Sequence, residues 1–328
     1  MIRRHPGSVK RGAFVSGIAG SAAACALRAT SSMAETLMPL RIGIAPSDGV
    51  TSVVYAKKAG LFEKAGLDVH IETQSNGAAV AAAVLSGFFD IGNTSVTSIL
   101  LAHDKGLPFT LVAPAGVYDG KVPFTGALVL KDSMLELGKD ANDQVISLAS
   151  LSGIGHDCFS AWVEQHGGDW HTLRFVEVPL SAAAAAVEER RVVAAEAATP
   201  ALASALDTGK FRLIPVYSAL GPSFLISAWF TTRDFSSKHP EIVRTFARVV
   251  ASAATYANFH HAQTAPIMAE FTGIPLSSFE HMVRARQGTT LVPSLIQPAI
   301  DAALKYGSLK KYFPAQEVID VDLQTRGQ

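Results

Sequence analysis

Arg41-Ile42-Gly43-Ile44-Ala45-Pro46, Ala59-Gly60-Leu61-Phe62-Glu63-Lys64-Ala65-Gly66-Leu67-Asp68-Val69 and Leu85-Ser86-Gly87-Phe88-Phe89-Asp90-Ile91-Gly92 are the three stretches that decide the fold. Short apolar runs at 40–45, 67–73, 89–92 and 109–114 have the length and β-branched content of strands. Between them lie helical stretches at 52–59, 78–86 and 96–104, the first closed by Gly60 and the second by Gly87 at its C′ position. Strands alternating with helices of about ten residues predict βαβ units and a largely parallel sheet.

A second series follows. Strands are expected at 125–130, 145–149, 173–178, 192–197, 212–216 and 224–231. Helices are expected at 156–166, at 182–190 with Ser181 as N-cap, and after Thr199-Pro200. From Pro240 the chain reads as helical, with one long helix over 241–259 and a capping box at Ser277-Ser278-Phe279-Glu280 opening a later one. Two series with only short connections predict an α/β protein of two lobes, each a mostly parallel sheet flanked by helices, facing each other across a cleft.

Composition agrees with a folded chain that binds no nucleic acid. The 328 residues are 48% hydrophobic and 17% charged, with 28 Lys+Arg against 28 Asp+Glu, so there is no basic footprint. Residues 1–34 differ from the rest: they hold Arg3, Arg4, Lys10, Arg11 and Arg28, no acid, and an apolar stretch at 13–27. A basic start, an apolar middle and the small-x-small exit Ser32-Met33-Ala34 read as an export signal. Neither Arg3-Arg4 nor Lys10-Arg11 decides between the general and the twin-arginine route, and Ala22-Ala23-Ala24-Cys25 is a poor lipidation motif. Cleavage there leaves 23 Lys+Arg against 28 Asp+Glu and Cys158 as the one cysteine, expected as a buried small hydrophobe on a helix.

The opening strand-helix-strand, the Gly87-Phe-Phe-Asp90-Ile-Gly92 block, FLISAWFTTRDF at 224–235 and Ile300-Asp301-Ala302-Ala303 together resemble the nitrate/sulfonate/taurine-type periplasmic solute-binding proteins of ABC importers, over essentially the whole mature chain. The resemblance implies a type II periplasmic-binding-protein fold, with lobe 1 at 39–125 and 226–328, lobe 2 at 126–225, and crossings at 124–130 and 224–231. It also implies periplasmic location, a monomer, a small-molecule ligand and delivery to the transmembrane subunits of an ABC permease. One departure falls in lobe 2. Where the family often has Val-Asp-Ala before Glu-Pro, this chain has Val192-Val193-Ala194 and then Thr199-Pro200, with Glu196 between.

Ligands of open α/β sheets sit beyond the carboxyl ends of the strands, where helix N-termini point. Here those positions carry the segments 47–52, 76–77, 93–95 and 152–156. Thr51, Ser52, Asn76, Gly77, Asn93, Thr94, Ser95, Gly155 and His156 offer backbone N–H groups, hydroxyls and amides that suit a small oxyanion without a lysine or arginine. Taken singly, Thr51, Asn76, Thr94 and Ser95 read equally as N-caps, and Asp48 as a cap or turn residue. Thr199 and Glu196 lie at a lobe 2 strand end. Glu196 is able to accept from a ligand N–H, with an ion pair to Arg190 or Arg191 as its alternative. Tyr118 and Trp229 are candidates for stacking, or for core packing. The expected solute is a sulfonate or carboxylate-type anion; the alternative is an aromatic heterocycle such as a thiamine pyrimidine precursor, using Tyr118, Trp229 and Glu196.

Catalysis is the weaker reading. Gly153-Ile154-Gly155 with Glu177 imitates a dinucleotide fingerprint but lacks the third glycine. The cysteine-rich iron motif of the thiamine-pyrimidine synthases, which share this fold, is absent, and His260-His261, His166 and His171 lack the companions of a metal site. No catalytic residue, metal or cofactor is expected.

Overall fold

The computed structural model describes residues 37–324 except 137 and 152. The export-signal reading of 1–34, the exit at 32–34, Cys25 and Ser152 of the segment 152–156 lie outside the described residues.

The chain runs β1 (Met38–Ile44), α1 (Thr51–Lys58), α2 (Leu61–Lys64), β2 (Leu67–Thr73), α3 (Gly77–Leu85), β3 (Ile91–Ser95), α4 (Val96–Asp104), β4 (Phe109–Pro114) and β5 (Gly116–Asp119). It continues through β6 (Thr125–Leu130), β7 (Val145–Leu148), α5 (Ile154–Gln165), β8 (Arg174–Glu177), α6 (Ala183–Glu188), β9 (Ala194–Ala198), α7 (Ala201–Asp207) and β10 (Phe211–Ile214). The remainder is β11 (Ser223–Leu225), β12 (Ser227–Thr232), α8 (Arg233–Lys238), α9 (Pro240–Phe259), α10 (His261–Thr272), α11 (Leu276–His281), β13 (Arg286–Gln287), α12 (Pro293–Lys305) and α13 (Val321–Gln324).

Two five-stranded sheets have the orders β2-β1-β3-β12-β4 and β10-β6-β9-β7-β8, and β11-β5-β13 form a small third sheet. In the first sheet β1 runs parallel to β2 and β3, while β12 is antiparallel to β3 and β4. In the second, β7 runs parallel to β8 and β9, while β6 is antiparallel to β9 and β10. The registers fix how the sheets face. Ser227, the first residue of β12, pairs with Ser95, the last of β3; Thr125, the first of β6, pairs with Ala198, the last of β9. The chain therefore leaves the first sheet and enters the second at the carboxyl ends of their parallel strands. The short β5 and β11 make the passage, pairing with each other through Phe224 and Tyr118. Both carboxyl edges meet at these joining strands, where a ligand of such sheets belongs.

Several sequence expectations change. The run 224–231 is broken at Ile226, whose N–H donates to Gly116 O and whose carbonyl accepts from Val96 N–H. The single strand becomes β11 and β12. The passage out of the first sheet is made by β5, upstream of the expected 124–130. The box at 277–280 does not open a helix: α11 begins at Leu276 behind Pro275, with no side-chain cap. Ser181 sits inside a 3-10 turn, and Ala182 precedes α6 without a cap. Gly87 does follow α3 with φ +77°, where a residue with a Cβ would be strained.

Long α9 buries Ile242, Val243, Phe246, Val249, Val250, Ala253, Ala254 and Ala257, a stripe at helical spacing. Phe246 stacks on Phe62 and meets Trp229 edge-on, locking α9 and α2 to β12. Each fully buried large side chain of this kind contributes about 1.5–3 kcal/mol. On the other face one continuous core holds Val96, Ile99 and Leu100 of α4, Cys158, Phe159 and Trp162 of α5, and Ile296, Ala299 and Ile300 of α12. Helix α12 thus packs against α4, which flanks the first sheet, and α5, which flanks the second.

Candidate functional site

At the head of α1 the loop 47–50 turns back into the protein. Asp48 is buried and forms an ion pair with buried Arg284, Nη2 to Oδ1 at 2.8 Å, with Nε also donating at 2.9 Å. Ala285 N–H and Thr51 Oγ1 complete the carboxylate's partners. The Ser52 N–H donates to Gln287 Oε1 at 3.2 Å, and Gln287 Nε2 donates back to Asp48 O. Thr51 is therefore engaged inside the protein. Asp48, read as a cap or turn residue, is one half of a buried ion pair whose other half lies 236 residues away.

The next two helix starts carry side-chain caps. Asn76 Oδ1 accepts from Ala79 N–H at 2.9 Å at the head of α3, and Ser95 Oγ accepts from Ser98 N–H at 3.3 Å at the head of α4. Thr94 fills the space beside Gly77, where a Cβ would stand 2.1 Å from Thr94 Oγ1. Buried Asn93 donates through Nδ2 to Ala228 O, and it pairs in register with Trp229, so both side chains share one face of the sheet. Trp229 is fully buried.

In the second sheet half-buried Glu196 is the middle residue of β9, not at a strand end as expected. Its Oε2 accepts from Ala149 N–H at 2.7 Å and its Oε1 from Tyr217 O–H at 2.5 Å. The first turn of α5 lies against it: a Cβ on Gly155 would be 2.7 Å from Oε2. Burial raises the Glu196 carboxyl above its ordinary value, against the lowering effect of those two hydrogen bonds. Arg190 pairs instead with Asp132 and Arg191 with Glu189, so neither serves Glu196. Thr199 is buried beside Phe124, whose carbonyl accepts its N–H. Tyr118 is fully buried and hydrogen-bonded to Ser218 at 2.7 Å, its ring tilted against Tyr217 and Phe224.

His156 points along α5 rather than toward Glu196. Its Nδ1 lies 3.0 Å from Asp157 Oδ1 and 3.4 Å from Ser308 Oγ, and its ring leans on Phe175. Serine and aspartate meet the same ring nitrogen, whereas a nucleophilic triad places them on opposite ones. Cys158 is buried, and that burial pushes its thiol well up, away from thiolate reactivity.

Among the described residues, Ser52 Oγ, Thr199 Oγ1 and Trp229 Nε1 are buried without a hydrogen-bond partner. Such atoms are costly unless something from outside the chain satisfies them. Sequence reasoning singled out all three residues for other reasons. It missed Arg284 as the partner of Asp48, Gln287 as the cap of Ser52, Tyr217 as the partner of Glu196, and Ser227, whose Oγ accepts Gly116 N–H and ties β12 to β5. The pairing of β13 with β5, and the two hydrogen bonds between Gln287 and Asn258 of α9, bring 284–287 to α1. A groove of about 620 Å³ beside these strands is lined by Asn258, His261, Arg284, Arg286 and Thr289, and by none of the expected ligand contacts.

Residues 48–264 match the family model described as NMT1/THI5 like. No curated protein matches the chain by sequence. Among solved structures, the periplasmic aliphatic sulphonate binding protein SsuA of Escherichia coli is similar at 18% identity and TM-score 0.72, over 88% of this chain and 99% of that one. The ligand-binding component of an ABC-type import system of Staphylococcus aureus is similar at 15% identity and TM-score 0.75, over 89% and 99%. The periplasmic nitrate-binding protein NrtA of Synechocystis PCC 6803 is similar at 13% and TM-score 0.72, over 87% and 86%. With two sheet-rich lobes joined at their carboxyl edges, the chain has the type II periplasmic-binding-protein fold and belongs to the NMT1/THI5-like family.

Proposed function

We propose that this protein is the exported solute-binding component of an ABC importer, a binding protein and not an enzyme, which holds a small organic solute between its two lobes and presents it, as a monomer, to the permease. The observation that carries this reading is the topology: the two large sheets meet at their carboxyl edges across the joining strands, where Ser227 pairs with Ser95 and Thr125 with Ala198. Lobe 1 would comprise 39–125 and 226–328, and lobe 2 the residues 126–225. The solved neighbours that bind sulfonates or nitrate lend support to a transport role, and the basic, acid-free residues 1–34 to export. The test is cell fractionation with N-terminal sequencing. A periplasmic product beginning near residue 35 is expected, and a cytoplasmic product that retains Met1 refutes both export and transport.

A further inference from the structure

We infer that the groove on one face of the small sheet β11-β5-β13 is a second binding site, apart from the solute's, and that it takes a carboxylate carried on an aromatic or short aliphatic body. Strand alternation separates the two faces of this sheet. On one face Phe224 pairs with Tyr118, and both rings pack on Tyr217, which reaches Glu196 of β9. On the other, Ser223 pairs with Asp119 and Arg286 with Val117, and these four residues line the groove. All three strands thus form one wall. The end of α9, the start of α10 and the segment after β13 form the rest, through Asn258, His261 and Leu295. Among the described residues, none that lines the groove belongs to α1, α3, α4, α5 or β9, the elements around which the solute was expected. The volume of about 620 Å³ lies within the range of small-molecule sites.

The charges of the lining favour an anion. Arg284 and Arg286 stand there with His261, against Asp119 as the acid. Arg284 is held by Asp48, and its Nη1 makes only long contacts, 3.4 Å to His261 O and 3.5 Å to Thr264 Oγ1. Among the described residues the side chain of Arg286 pairs only with Asp119, Nη1 to Oδ2 at 3.3 Å. That contact is half exposed and leaves most of the guanidinium donors to a ligand. Burial first, and Arg284 second, hold the His261 pKa below its ordinary value, so positive charge is already disfavoured at that wall. An ammonium would meet the same opposition. A carboxylate would be received by the planar fork of Arg286, whose geometry fits it bidentately, with the hydroxyls of Thr289 and Thr290 in the same lining. The remainder is apolar: Val122, Val292 and Leu295, with Phe259, whose ring is on a residue 82% exposed. Covering such a ring with an aromatic or aliphatic body removes apolar surface from water.

The experiment is calorimetry with benzoate, hexanoate, acetate and benzylamine on the wild-type protein and on Arg286→Gln, with the imidazole proton resonances followed in parallel and His261 assigned through His261→Gln. Benzoate and hexanoate should bind wild type and move the His261 resonances. Acetate, which has no apolar body, should bind on the order of 10-fold more weakly, and benzylamine not at all. Arg286→Gln, at an exposed position, should lose on the order of 10- to 100-fold in benzoate affinity, as for a charge-assisted bond removed. The wild-type arm needs no variant of Arg286 to fold. Benzoate that leaves His261 unmoved, or that binds Arg286→Gln as tightly as wild type, occupies another place and overturns the inference. Benzylamine binding in preference to benzoate, acetate binding as tightly as benzoate, or no binding of any probe overturns it too. Solute binding between the lobes is untouched by any of these outcomes.

Discussion

Asp48 and Arg284 show how much one pair of side chains decides here. Both are buried, and each is the other's charge partner. Removing one leaves an uncompensated buried charge, so Arg284→Met should cost about 3–5 kcal/mol of stability, read by urea unfolding. Asp48→Asn combined with Arg284→Met removes both charges and should recover much of that loss. Additive losses in the double variant would contradict the pairing. Glu196 gives a second expectation, with pH as the variable. Its carboxyl is raised by burial above the ordinary 4.5, so the native state holds a proton that the unfolded chain has already released. Stability relative to Glu196→Gln should therefore fall as pH rises from about 4.5 through the raised value, and level off above it. Tyr217 and Cys158 are the titratable groups facing it, and both are pushed well up, so neither titrates in that window. Melting curves of the two proteins from pH 4 upward check the sign, with parallel curves as the contrary outcome.

At the scale of elements, the heads of the helices are set by close approaches that glycine allows. A Cβ on Gly77 would lie 2.1 Å from Thr94 Oγ1 and 3.1 Å from Thr94 Cβ, so α3 rests directly on the end of β3. Gly77→Ala forces these apart and should destabilise by about 1–3 kcal/mol, visible in the thermal midpoint. Adding Thr94→Ala opens the space again and should restore part of the loss. If the double variant is no better than the single, the contact is not the cause. The helix starts of α3 and α4 were legible in the sequence because Asn76 and Ser95 act on their own neighbours, three residues on. The start of α11 was not: Ser277 through Glu280 satisfy the local pattern, but Pro275 and the packing of Phe279 in the core place the helix two residues earlier.

For the whole molecule, the two joining strands β5 and β11 are short, and α12 touches both sides. Lys305 and Tyr306, at the end of α12, meet Glu164 of α5, and Ser308 donates to Asp157 at 2.6 Å. Bending at the joining strands under this strap should close the lobes on a solute that binds the closed form more tightly. Small-angle scattering should then show a smaller radius of gyration when the solute released from the native protein is added back. An unchanged profile at saturation would rule out closure. The salt bridge of Lys305 is exposed, so Glu164→Gln should leave the melting midpoint within the range of ordinary surface changes while speeding hydrogen exchange at the end of α12.

Alternation of apolar runs with helical stretches, visible in residues 40–114, determined that this protein is α/β with βαβ units, because burial period and chain direction are local properties. The same local reading put Thr199 just past a strand, as found, but Glu196 and Asn93, also expected at strand ends, are the middle residues of β9 and β3. Tertiary structure alone decided which groups those residues meet. The antiparallel course of β12 between β3 and β4, and the existence of β5, depend on pairings between segments about a hundred residues apart, for which a four-residue stretch such as Gly-Val-Tyr-Asp holds no periodic signal. Arg284 reaches Asp48, and Gln287 reaches Ser52, across 236 and 235 residues of chain. No spacing rule encodes such contacts, since they exist only after β13 has paired with β5 and the cores on either face have set the register.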